Sequence, residues 1–420
     1  MIGSFLPFNS FFCNFAPMKQ LHLFNPDNDL ALASGLDYYT SPPLAAQLCR
    51  DLQMLPAWWA EPGDVVLTQC RDLDAAWAEH LHSVFGIKVD LIDKNHLQNH
   101  VFTYRPWGWN ASLRNQILAC CVPADQLPSP AAIEQWRMLS HRRSSVAIHR
   151  AITEICGREF CPSPVEFTRL DDIAQFARRH YRCFLKAPWS SSGKGIFRPT
   201  DVDNLTFDYW ARGILQRQGS VIAELPFDKT LDFAMEFRCS QGKAHFVGYS
   251  VYYNNQHNAF DTGIAASESR LHRIICQSMG EKCDEIESVR LALEEILTSM
   301  VAGCYDGYLG IDMLLYRRPD KSIGINPCVE MNLRTTMGVL TSVVGNRFVH
   351  PDSIGHYHCE YHKAPVDIAA LMKQKIAENP PVFEHFGGSQ RIKKGTILMA
   401  PVYPDSRYCA YLSVEEANPL

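Results

Sequence analysis

Two apolar segments in the last third of the chain, 308–316 and 323–331, each carry a carboxylate among apolar neighbours, and this limits the fold more than any other feature. An unpaired charge inside an apolar strand is costly. Asp312 in Gly310-Ile-Asp-Met-Leu-Leu and Glu330 in Val329-Glu-Met-Asn-Leu-Arg therefore need compensation. Residues two apart on a strand share a face, which puts Glu330 beside Asn332. A hairpin turning around Lys321 sets position 312 opposite position 330. Opposed carboxylates repel unless a cation sits between them. An Asp, a Glu and an Asn carbonyl are the oxygen donors a hard ion such as Mg2+ takes. A second arrangement also satisfies these charges: Asp312 and Asn332 cap strand ends while Glu330 pairs with Arg334.

A second cluster is Lys186-Ala-Pro-Trp-Ser190-Ser191-Ser192-Gly193-Lys194-Gly195, which follows an apolar strand at 182–187. Serines and glycines let successive backbone N–H groups converge on an anion, and lysine adds a point charge. A solvated turn is the other reading. The loop is not a Walker A motif, because position 188 is Pro and position 195 is Gly. Trp189 rules out a nucleophile elbow.

Periodicity organises the rest. Strands at 21–24, 64–68 and 88–92 alternate with helical spacing at 44–54 and 72–85, which predicts parallel βαβ units. Residues 96–130 read as irregular, and 131–156 and 171–180 as helices. From 182 the texture changes to strands at 182–187, 220–225, 232–239, 243–253, 308–316 and 323–331. Ser240-Gln241-Gly242 marks a hairpin, and a long helix is predicted at 284–302. The tail adds a helix at 366–378 and a strand at 396–403. The predicted division is 19–130, 131–220, 221–345 and a C-terminal extension, 346–420, packed on the core.

Apolar residues make up 46% and charged residues 20%, a globular balance. Forty basic against 45 acidic side chains leave a formal charge of −5, too mild to hold nucleic acid by bulk electrostatics. Fifteen cysteines include no C-x-x-C, and the adjacent Cys120 and Cys121 suggest no disulfide framework. A reducing, cytoplasmic compartment is expected. Residues 1–18 carry no charge and read as an over-long start before Met18, with a weak signal or anchor as the alternative. Elsewhere no apolar run approaches a membrane span.

A lysine ending a strand, a Ser/Gly loop, an Asp on one strand and E-x-N-x-R on the next follow one another in an order that resembles the ATP-grasp superfamily. The likeness spans roughly residues 135–340. The N-terminal segment resembles the small domain that precedes such a fold. The implied class is α/β plus α+β: a Rossmann-like domain followed by a two-lobed ATP-grasp fold. Carried over, Lys186 would contact phosphates and base, and Ser190, Ser191, Ser192, Gly193, Lys194 and Gly195 would form a lid. Glu224 and Asp228, in Val221-Ile-Ala-Glu-Leu-Pro-Phe-Asp, would address adenine and ribose. Asp312, Glu330 and Asn332 would ligate Mg2+, as one or two ions, with Mn2+ as a substitute. Arg334 would face the transferred phosphoryl. Arg142 or Arg143 stands where many members carry a phosphate-binding lysine. Arg238, in Met-Glu-Phe-Arg-Cys, would bind a carboxylate or acyl phosphate, unless it is only a strand-edge arginine.

The implied activity is ATP-dependent ligation of a small-molecule carboxylate to an amine through an acyl phosphate, releasing ADP and phosphate. A kinase-like relative that stops at phosphoryl transfer and a non-catalytic nucleotide-binding module are the alternatives. The expected partners are small molecules, with no nucleic acid and no membrane, and a homodimer is compatible. His356, His358 and His362 pack ligand-type side chains together, either as part of a zinc site or as a surface or substrate-lining segment. Asn25, Asn28 and Asp29 follow the first strand, where open α/β sheets place ligand crevices, though a turn stabilised by Asx side chains explains them better. Tyr252, Tyr253, Asn254 and Asn255 end a strand that could line a pocket. Trp58-Trp59 and Trp107-Gly-Trp109 read as packing.

Overall fold

The computed structural model describes residues 18–69, 71–190, 195–254 and 260–417. The reading of residues 1–17 as an over-long start therefore lies outside the described residues, as does Asn255. Among those described, three sheets carry the chain. The first is parallel: β1 (Gln20–Leu23), β2 (Val65–Thr68), β3 (Asp90–Asp93) and β4 (Thr103–Pro106), in the order β3-β2-β1-β4. The second is a small antiparallel sheet of β5 (Val165–Phe167), β6 (Phe184–Lys186), β7 (Ile196–Phe197) and β8 (Val221–Glu224), ordered β5-β8-β6-β7.

The third sheet has nine strands. β9 (Asp228–Ser240), β10 (Lys243–Asn254), β11 (Phe260–Ala265), β12 (Gly307–Arg317) and β13 (Ile323–Asn332) are joined by β14 (Ser353–Tyr361), β15 (Val382–Phe386), β16 (Ser389–Leu398) and β17 (Tyr408–Glu416), in the order β13-β12-β9-β10-β11-β14-β17-β16-β15. The tail beyond 346 thus continues this sheet edge to edge. Along β9 the odd residues Phe233, Met235 and Phe237 pack into the main core with helices Glu268–Met279 and Asp284–Met300. The even ones, Asp232 and Glu236, face a cleft on the other side.

Several expectations need correction. The helix expected over 131–156 is two helices, Pro130–Leu139 and Arg143–Cys156, and the break sets Arg142 between them, with its N–H donating to the Pro188 carbonyl at 3.1 Å. The stretch 96–130, read as irregular, holds β4 and a helix at Ala111–Leu118 whose first turn is capped by the Asn110 side chain. The absence of a disulfide also fails at one pair. Cys276 and Cys283 are joined, whereas Cys120 and Cys121 are free thiols.

The helix Met337–Arg347 crosses β11 closely enough that a Cβ on Gly345 would lie 2.3 Å from the backbone N and O of Ala266. Backbone cannot rotate aside as a side chain can. Gly345→Ala is therefore expected to cost about 1–3 kcal/mol, towards the upper end of the usual overpacking range. A lowered urea midpoint with unchanged m-value checks this, and wild-type stability would refute the packing.

Candidate active site

The cleft has a volume of about 690 Å3 and is walled by all three sheets' neighbourhoods: Lys186 and Glu224 from the small sheet, Asp312, Glu330 and Asn332 from the large one, Asp29 from the N-terminal domain. Asp312 stands directly opposite Glu330 in the antiparallel register of β12 and β13. That register depends on a bulge. Near the turn Leu314 pairs with Asn326 and Tyr316 with Gly324, a frame centred on residue 320 rather than Lys321; the irregularity between Asp312 and Leu314 shifts the frame and brings Asp312 to Glu330.

Burial and the neighbouring Glu330 charge push the Asp312 carboxyl up to about 7. Asn332 donates its amide N–H to Asp312 at 2.9 Å, while its carbonyl accepts from Arg334 at 3.1 Å. Arg334 itself is clamped on Asp29, with Nη2 2.7 Å and Nε 2.9 Å from the carboxylate oxygens. Burial opposes the Arg334 charge, but Asp29 outweighs it and holds the guanidinium protonated. Asp29 opens the short helix Asn28–Ser34 at the C-terminal end of β1. The nearby Asn25 side chain donates to the Gly108 carbonyl at 2.7 Å and accepts from the Gly108 N–H at 3.3 Å, tying the turn after β1 to the loop after β4 and, among the described residues, making no bond within its own turn.

Arg142 bridges the lobes. Its guanidinium donates to Glu330 at 2.8 Å, to the Ser190 hydroxyl at 2.7 Å and to the Ala187 carbonyl at 2.6 Å. Arg143 turns outward to Glu166 at 2.9 Å, so of the two arginines Arg142 alone lines the cleft. Lys186 ends β6 and reaches Glu224, at the end of β8, at 2.6 Å. Beside them Phe184, Ile196, Leu225, Phe227 and Leu314 give an apolar wall. Ser190 lines the cleft, and Gly195, in the left-handed region at φ +80°, closes the loop behind it. Ser191, Ser192, Gly193 and Lys194 lie outside the described residues.

Two candidates stay away from the cleft. Arg238 shares the site face of β9, but it lies two residues beyond Glu236 and pairs with Asp306 at 2.7 Å at the strand's far end. Asp228 is 69% exposed and its nearest cation is Arg317 at 3.8 Å; its neighbours Phe227 and Lys229 line the cleft instead. His356 and His358 do not converge either. His356 faces Glu415 at 3.6 Å, His358 stacks on Tyr411 with ring centroids 4.8 Å apart, and His362 lies 3.2 Å from Glu360 and 3.6 Å from the Cys409 sulfur. Of the β10 residues, Tyr252 and Asn254 line the cleft while Tyr253 points outward, 52% exposed.

The residue that sequence reasoning overlooked is Glu236, 1% exposed. The Thr336 hydroxyl donates to it at 2.9 Å and accepts from the Val339 N–H at 3.1 Å, so one side chain serves both the carboxyl and the helix N-terminus. Ser250 donates to the other oxygen at 3.0 Å. Burial, then the Asp312 charge, push this carboxyl up to about 8 against those two hydrogen bonds. Gly310 and Gly338 make room for it, since a Cβ would meet its oxygens at 2.7 Å and 1.9 Å. The period-2 pattern of 232–239 was the available signal: it puts Glu236 on the face of Asp232 and Arg238.

No family model and no curated protein matches the sequence. Among solved structures, N5-carboxyaminoimidazole synthetase from Staphylococcus aureus complexed with ADP is similar at a TM-score of 0.50 and 11% identity, covering 96% of this chain and 94% of that one. For biotin carboxylase from Campylobacter jejuni, in its β,γ-ATP complex, the TM-score falls to 0.49 at 11% identity, over 96% and 88% of the two chains. At such identity the likeness speaks to architecture alone. The chain has the ATP-grasp fold, with a parallel α/β domain in front of it.

Proposed function

We propose that the protein is a Mg2+- and ATP-dependent ligase that joins a small-molecule carboxylate to an amine through an acyl phosphate, releasing ADP and phosphate. One observation carries the reading: two carboxylates, Asp312 and Glu330, opposed across neighbouring strands in a cleft that also holds Lys186 and Arg142. The donor set suits Mg2+, being all oxygen, and a cation held between the two carboxylates would offset the burial and the Glu330 charge that together push Asp312 up. Asp312 and Glu330 would hold the ion directly, with Asn332 joining once its amide turns its oxygen from Arg334. Bound there, Mg2+ would supply charge neutralisation for the triphosphate.

The remaining work falls to the chain. Lys186 and Arg142 would leave Glu224 and Glu330 for phosphate oxygens. The wall of Phe184, Ile196, Leu225 and Leu314 would take the purine, with Glu224 at its polar edge. Ser190 and the loop through Gly195 would cover the phosphates and keep water from the acyl phosphate. Arg334, released from Asp29, would meet charge developing on the transferred phosphoryl. The working setting is a reducing cytoplasm, with no nucleic acid and no membrane; no helix among the described residues is long and apolar enough to cross one.

Incubation with Mg-ATP and pooled acids and amines, read as ADP release, tests this. Full turnover that needs two acceptors supports a ligase; turnover with a single acceptor makes the protein a kinase, and nucleotide binding without turnover makes it a sensor. Arg142→Ala is expected to lower ADP release about 100-fold, the scale for losing one preorganised charge donor. Arg143→Ala, which removes an outward ion pair, should stay within about twofold. Equal effects of the two would remove Arg142 from the site.

A further inference from the structure

On the face of the large sheet away from the cleft, the end of helix Glu268–Met279 and the start of helix Asp284–Met300 bring together His272, Cys276 and Cys283, all partly exposed. His272 and Cys276 are four apart on one helix and so share its face. The turn Gly280–Lys282 then returns the chain, so that Cys283 has its Cα 4.8 Å from that of Cys276. The His272 Nε2 lies 3.4 Å from the Cys276 sulfur and 4.0 Å from that of Cys283, while the two sulfurs are bonded to each other.

We propose that these three side chains form a redox-gated Zn2+ site: a disulfide when oxidised, and a Cys2His metal centre when reduced. A cystine that only clips two helices needs no histidine, so the imidazole is the informative member of the cluster. Tetrahedral Zn2+ with bonds of about 2.3 Å to sulfur and 2.0–2.1 Å to nitrogen has donor atoms about 3.5–3.8 Å apart. Both nitrogen–sulfur distances already bracket that spacing; only the two sulfurs have to part. Sulfur and imidazole donors select Zn2+ over the hard ion suited to Asp312 and Glu330. Three protein donors leave a fourth position, and the partial exposure of the cluster opens it to water. Glu287 is the nearby carboxylate, but Arg290 holds it at 2.5 Å.

The chemistry balances with a dithiol reductant. The S–S bond breaks, two thiols form, and the reductant closes to its own disulfide. Each thiol then gives a proton to solvent as its thiolate takes the metal. The site lies behind the sheet, so its effect is to tie the two helices together.

The test uses the full chain, reduced and stripped with chelator, then titrated with Co2+ and with Zn2+ under anaerobic conditions. The expected result is one ion per chain, tetrahedral thiolate–Co2+ absorption that Zn2+ bleaches, and a raised melting temperature with Zn2+. The oxidised chain should give none of these. Cys276→Ser, Cys283→Ser and His272→Ala should each lose the absorption, whereas Cys304→Ser, outside the cluster, should keep it. Should the variants fail to fold, alkylation of the wild type decides: Zn2+ should shield Cys276 and Cys283 from iodoacetamide and leave Cys121 reactive. No thiolate absorption in the reduced chain, no shielding, or equal binding by the oxidised chain would overturn the proposal.

Discussion

Glu330→Gln lowers ADP release by at least about 100-fold, measured with the acceptors the pooled screen returns, while the chain still folds. The size follows from what the carboxylate touches. Replacing even a group that merely orients a metal ligand typically costs 10–100-fold in metal affinity or activity, about the floor for losing a ligand itself. Glutamine keeps the shape and one oxygen but removes the charge that would hold Mg2+ between the strands. Stability should change little, because two effects oppose each other. Arg142, 6% exposed, loses a charge-assisted bond of 2.8 Å to a side chain that is 26% exposed, but keeps its bonds to Ala187 and Ser190. Asp312 in turn loses the like charge that helps push its carboxyl up to about 7, and so ionises more easily. Raising Mg2+ should recover part of the lost activity if the defect is in metal binding. An active variant at ordinary Mg2+ would remove Glu330 from the metal role.

The same pair of strands illustrates how much a sequence discloses. Asp312 and Glu330 were legible because a charge in an apolar strand demands an explanation, and the sum of two positions locates a hairpin. The bulge that makes the pairing true was not read: Pro327, Cys328 and Val329 lie opposite Met313 alone, and a shift of two positions leaves the alternation on either side intact. The two-helix break at Arg142 was hidden for a related reason. Leu139-Ser-His-Arg-Arg-Ser-Ser contains no proline or glycine, so helical spacing runs through it, while the break is held by the tertiary bond from Arg142 to Pro188 and by the His141 ring accepting from the Arg143 N–H at 3.0 Å. Arg238 misled for the opposite reason. Alternation gives the face but not the distance along it, and two residues further on the partner is Asp306 instead of the cleft. Of strands β14 to β17, mostly missed, only β15 is an exposed edge; β17 buries Cys409, Ala410, Tyr411 and Leu412 in succession, a run without the alternation that marks a strand. Asp29 was legible as a crevice residue after the first strand, but its pairing with Arg334 was not, since nothing in sequence links two residues 305 positions apart.

Glu236 yields the second large effect, on stability against pH. Its carboxyl has an ordinary value of 4.5 and is pushed up to about 8 in the folded chain. Between those values the folded state keeps a proton that the unfolded state has released. Stability must therefore fall as pH rises through this window, by up to about 1.4 kcal/mol per pH unit, and level off above it. In Glu236→Gln the side chain carries no titrating proton, so this slope disappears. The glutamine oxygen can still accept from Thr336, and its amide can donate to Ser250, whose hydroxyl is free to rotate because the Ser250 group serves only as a donor to Glu236. Urea midpoints taken with chelator present at several values between pH 5 and 9 should then converge at the acid end and separate at the alkaline end, with the variant the more stable by a few kcal/mol. Asp312 slopes in the same sense and is coupled to Glu236, so the difference between the two chains reports the pair and not Glu236 alone. Parallel curves for the two proteins would mean that Glu236 is ionised in the fold, and that the hydroxyls of Thr336 and Ser250 stabilise a charge rather than a neutral acid.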